Sequence, residues 1–80
     1  MEEFLIFLSK SLVENPDDVV VENAGETSGI VTLKLYVNPS DMGRIIGKQG
    51  RIAKAIRTLM KSASMRLEKR VNVEIVDVNR

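Results

Sequence analysis

Gly47 and Gly50 stand three apart, with Lys48 and Gln49 between them, in a stretch whose apolar spacing is otherwise helical. Glycine is the weakest helix former after proline and enters positive φ without steric cost. The chain is therefore expected to turn sharply here and resume as a second helix at Arg51. Backbone N–H groups in such a turn can meet another backbone with no Cβ in the way. The helix start that follows adds unpaired N–H groups and a partial positive charge, and Lys48 adds a full one. Three attractions for a phosphate converge on Gly47-Lys48-Gln49-Gly50.

The rest of the chain reads as scaffold. Residues 2–14 carry a helical pattern, with Glu2 and Glu3 at the positive end and Asn15-Pro16 as the stop. Phe4 to Leu8 are apolar nearly all round, so this helix has a face to spare for a partner. Residues 17–23 form a β-branched strand, residues 24–29 a hairpin loop with two glycines, and Ile30 to Val37 a second strand. In the second strand Val31, Leu33, Leu35 and Val37 share one face; Thr32, Lys34 and Tyr36 share the other. Asn38 and Pro39 open a helix with Asp41 at the capping-box position, and Gly47 interrupts it within three turns. Over residues 51–68, Ile52, Ala55, Ile56, Leu59, Met60, Ala63 and Leu67 fall within an arc of roughly 140°, the expected core stripe. Arg51, Lys54, Arg57 and Lys61 fall within roughly 120° on the opposite side. Val71 to Val78 closes the chain as a third alternating strand.

A chain of 80 residues supports one core, so a single domain over residues 1–80 is expected. With 44% hydrophobic and 29% charged residues it reads as an ordinary soluble globular domain, neither disordered nor membrane-spanning. The net charge of +1 conceals a division. Residues 1–41 hold two basic and eight acidic side chains (−6), whereas residues 42–80 hold ten basic and three acidic (+7). Residues 42–66 contain seven basic side chains and no acidic one, which favours an anionic ligand on the half that carries the glycines.

No cysteine or histidine is present, which removes the usual nucleophile, general base and metal ligands; no enzyme activity, metal or cofactor is expected. Gly43-Arg44-Ile45-Ile46-Gly47-Lys48-Gln49 has the outline of a phosphate-binding P-loop. It is one residue short between its glycines and places Gln49 where a Ser or Thr must reach Mg²⁺. The acidic start and the short apolar run after it do not make a secretory signal, so a cytoplasmic location is expected.

Ile45, Ile46, Gly47, Gly50, Lys54 and Ile56 reproduce the aliphatic pair, G-x-x-G and following aliphatic and basic positions of the KH family of RNA-binding domains, which the chain resembles from about residue 2 to 78. The predicted order, helix-strand-strand-helix-loop-helix-strand, is that of the type II KH fold (αββααβ). The resemblance implies an α+β domain with three helices packed on one face of a three-stranded mixed sheet. It also implies single-stranded RNA clamped by the loop. Gly47 and Gly50 would admit the backbone; Lys48, Arg51, Arg44 and Lys54 would neutralise phosphates; Gln49 would offer an amide. Bases would lie over Ile45 or Ile46, Ile52 and Ile56. One position departs: Ala53 stands where the family usually has isoleucine, which would shrink that apolar floor.

Within the family the likeness is to small bacterial members that are little more than one KH domain. It implies a post-transcriptional regulator or RNA chaperone linked to cell elongation and division, forming homodimers and a heterodimer with a second KH-containing protein. Leu59, Met60, Ala63 and Met65, or Phe4, Phe7 and Leu8, are candidates for such an interface. A protein-interaction adaptor with little RNA binding is the alternative.

Overall fold

The computed structural model describes residues 1–77, apart from the side chain of Lys48. Helix α1 (Glu2–Leu12) is followed by a 3-10 turn at Pro16–Asp18, strands β1 (Val20–Thr27) and β2 (Ile30–Val37), helix α2 (Pro39–Arg66) and strand β3 (Arg70–Asp77). Val78, expected to end the third strand, lies outside the described residues.

The sheet order is β1-β2-β3, with β1 antiparallel and β3 parallel to β2. This is the mixed α+β arrangement expected of the type II KH fold. β1 begins later than its sequence suggests, because Pro16 starts a 3-10 turn over the two aspartates. It also runs further: a bulge between Asn23 and Glu26 takes up Ala24-Gly25, and pairing continues to Thr27 opposite Ile30. The expected six-residue loop shrinks to Ser28-Gly29, whose φ values of 54° and 80° are the positive pair a tight hairpin requires.

Alternation in β2 sends Leu33, Leu35 and Val37 into the core, and the parallel register sets Val73 beside Leu33 on the same face. Leu5 of α1, Val19 just before β1, and Ile45, Ala53, Ile56 and Met60 of α2 complete this core. Burying side chains of this size contributes about 1.5–3 kcal/mol each. The core stripe of α2 differs from the expected arc. Ala53, Ile56, Met60 and Ser64, at helical spacing, are buried, while Ala55, Leu59 and Leu67 are exposed. The apolar arc is wider than the strip this narrow sheet covers, and one flank stays open.

A polar cluster fixes where α2 begins. Asn38 caps the helix, its Oδ1 accepting from the Ser40 N–H at 2.9 Å. Asp41 does not close the capping box. It is 1% exposed and accepts from the N–H groups of Glu14 (2.9 Å) and Asn15 (3.0 Å) and from Asn15 Nδ2 (3.0 Å). Burial pushes its carboxyl up. These hydrogen bonds and the Arg44 charge outweigh that and hold it below the usual carboxylate range. The chain leaving α1 is thereby tied to the first turn of α2, which carries the glycine loop.

Candidate nucleic-acid interface

α2 runs over 28 residues with no loop opening at Gly47. A straight helix of that length would measure about 42 Å, yet the longest dimension of the Cα trace is 33 Å. The bend has a local cause: Gln49 and Gly50 have φ of 64° and 70°, the left-handed region in which a right-handed helix cannot continue. α2 is therefore two arms joined at Gln49-Gly50, and with α1 they make the three helices of the fold.

The two glycines play different parts. Gly50 has a left-handed φ, which costs glycine nothing; Gly47 has no positive φ and lies in the helical run. A Cβ added at Gly47 would meet no atom within 4 Å. The expectation that both glycines bend the chain is thus corrected: the turn sits at Gln49-Gly50.

Around the turn, Ile46 is 53% exposed and Ile52 half-buried, whereas Ile45 and Ile56 are sealed in the core at 1% and 0%. Only Ile46 and Ile52 of the four candidates can face a ligand. Ala53 is also buried in the core, so its small size does not shrink an outer apolar surface. Gln49, Arg51 and Lys54 are exposed, and Arg57 and Lys61 continue their ridge along the second arm. Arg44, on the first arm, is held in an ion pair with Glu14 across the α1–α2 junction. A phosphate would have to draw it from that partner.

β1 and β3 form the opposite edges of the sheet with β2 between them, and the basic excess of the second half lies on α2 and the turn after it, since β3 carries Arg70 against Glu74 and Asp77. Among the described residues no cluster of carboxylates suited to a metal ion occurs, and no helix is long and apolar enough to cross a membrane.

Away from the turn, Phe4 (39% exposed), Leu59 (44%) and Leu67 (57%) join Met1 and Ala63 around an apolar groove of about 410 Å³ between α1 and the end of α2. Phe7 and Met65 are also exposed and Leu8 is half-buried, but Met60 is wholly buried and drops out of any interface. Sequence reasoning gave no part to Lys69 and Arg70. They follow the end of α2 and face Arg57 and Lys61 across a cleft. Helical periodicity cannot relate a turn to a helix face, and the adjacent basic pair was the one available signal.

The family model for the KH domain of KhpA and KhpB matches residues 2–75. The RNA-binding protein KhpA of Clostridium acetobutylicum is 56% identical over 77 residues, covering 95% of this chain and all of the relative. KhpA of Clostridium perfringens is 54% identical with the same coverage, and KhpA of Listeria monocytogenes 48% identical over 96% of the chain and all of that protein. A match over nearly the whole length, on a fold bent at its glycine turn, places the chain in the KhpA/KhpB family of KH domains.

Proposed function

We propose that the protein binds single-stranded RNA and holds a short backbone segment at residues 47–50. The observation that carries this reading is Gly47. The free protein has no conformational or packing need for glycine there, and its bare backbone suits the close approach of a sugar-phosphate chain. Lys48, Arg51 and Lys54 supply phosphate contacts, Arg44 joins them on leaving Glu14, and Gln49 supplies a hydrogen bond. Ile46 and Ile52 offer apolar surface to the bases. The names of the relatives, RNA-binding proteins all, point the same way. Fluorescence anisotropy of labelled single-stranded tetranucleotides over a salt series tests it. Three or four phosphate contacts predict a log–log slope of about −2 to −3, and a flat salt response would contradict the clamp.

One clamp of about four nucleotides is weak and poorly selective, so joining two raises effective affinity. The same reading therefore includes a homodimer and a heterodimer with a KhpB-type KH protein through the groove of Phe4, Leu59 and Leu67, and a role as a cytoplasmic post-transcriptional regulator or RNA chaperone. That groove also supports the adaptor alternative, in which partner binding is the activity and RNA binding is incidental. The adaptor reading gains if a loop variant that no longer binds RNA remains active in the cell.

A further inference from the structure

Arg44 lies three residues before Gly47 and four before Lys48. On the first arm of α2 those spacings put it on the same face as the start of the clamp, one turn away. Its guanidinium is nevertheless occupied: it pairs with the carboxylate of Glu14, in the segment that leaves α1. The two residues are 30 positions apart, so the packing of α1 against α2, and no local pattern, brings them together.

What distinguishes this pair from other exposed ion pairs is how its acid is held. Such pairs commonly contribute little, because ordering two long side chains offsets most of their attraction. Here the main chain of the acid is already fixed. Asp41, three residues before Arg44, accepts from the N–H groups of Glu14 (2.9 Å) and Asn15 (3.0 Å), and Asn15 Nδ2 donates to Asp41 (3.0 Å) and to Ser40 Oγ (3.2 Å). Asp41 is buried, whereas the side chains of Glu14 and Arg44 are 73% and 49% exposed. The anchorage is thus shielded from water while the two charges it brings together can change partners.

A phosphate offers the guanidinium fork a pair of anionic oxygens much as a carboxylate does, so the two compete for Arg44. Glu14 opposes the phosphate twice. It holds Arg44 in the free protein, and once Arg44 has turned to the RNA it remains nearby as an unpaired negative charge, because its backbone stays tied to Asp41. We propose that Glu14 is a built-in competitor of the RNA backbone, an autoinhibitory counter-anion that lowers the affinity of the clamp by occupying Arg44. The proposal rests on the RNA reading above and adds to it a residue outside the loop that sets the strength of binding.

The test is a double-mutant cycle on the full chain: wild type, Glu14→Gln, Arg44→Gln and the double variant, each titrated with a labelled single-stranded tetranucleotide at low salt. Glu14→Gln keeps the N–H that Asp41 accepts, so the fold should be retained, as circular dichroism will verify. It should bind the RNA about two- to fivefold more tightly than the wild type, the range set by an exposed ion pair. The gain should fade as added salt screens the pair. In the Arg44→Gln background the same substitution should give a clearly smaller gain. Equal gains in both backgrounds would show that removing Glu14 acts only through net charge, and would overturn the competition for Arg44. No gain from Glu14→Gln in the wild-type background overturns it as well, and in either case the loop clamp stands. If neither the wild type nor Glu14→Gln binds the tetranucleotide, the RNA reading itself fails, and the proposal with it.

Discussion

At residue scale, Gly47, Gly50 and Glu68 separate what the fold needs from what a ligand needs. Gly50 is left-handed, so Gly50→Ala is expected to cost about 1 kcal/mol or more of stability. Gly47→Ala fills open space in a helical run and should leave stability unchanged or raise it by up to about 1 kcal/mol. It should nevertheless weaken RNA binding severalfold. Urea unfolding combined with RNA titration of the two variants checks both statements, and a Gly47→Ala protein that binds normally would contradict the role given to its backbone. Glu68, in contrast, sits where glycine is the usual residue. The Lys69 N–H donates to the Ser64 carbonyl (2.9 Å) and the Glu68 N–H to that of Met65 (3.1 Å), closing the end of α2 around a Glu68 φ of 56°. Glu68→Gly is expected to stabilise the protein by about 1 kcal/mol, read as a rise in the urea midpoint with unchanged slope.

At the scale of elements, the attachment of α2 depends on one buried carboxylate. Its folded pKa is lowered, so the stability that Asp41 confers is present above about pH 4, the unfolded value, and disappears as pH falls through the folded one. Replacing Asp41 by Ala strands the Glu14 and Asn15 donors and should cost about 2–3 kcal/mol at neutral pH. The stability gap between wild type and Asp41→Asn should narrow between pH 6 and pH 3 in urea unfolding; a gap that stays constant would mean the charge does nothing there. The elements themselves were largely legible. β2 declared itself by alternation, α1 by its charged start and Pro16 stop, and the halves of α2 by periodicity on either side of the glycines. What escaped were features set by distant contacts. Asp41 looked like a local capping residue because its partners lie 26 and 27 positions away. The β1 bulge depends on pairing that no local pattern encodes.

At the scale of the whole molecule, the candidate site was legible as a motif and incomplete as a surface. G-x-x-G and the neighbouring cations could be read off the chain, but four isoleucines competed for two roles. Only the packing of α2 on the sheet separates buried Ile45 and Ile56 from accessible Ile46 and Ile52. The apolar arc of the second arm likewise could not say how much of itself the sheet would cover, which is why Leu59 and Met60 look alike in sequence and differ in the fold. The exposed flank bears on assembly. Leu59→Glu introduces a charge into a groove lined by Phe4, Ala63 and Leu67, and sedimentation should show a dimer converted to monomer with the fold intact. An unchanged dimer mass would place the interface elsewhere, and a wild type that sediments as a monomer would contradict the proposed homodimer. The measurement that bears most directly on RNA clamping at the glycine turn is anisotropy of a labelled tetranucleotide with wild type and with Lys48→Asp plus Gln49→Asp. Asp tolerates the left-handed φ at position 49, so the variant should fold. Binding by the wild type and at least a tenfold loss in the folded variant is the expected result; equal binding by the two proteins would contradict it.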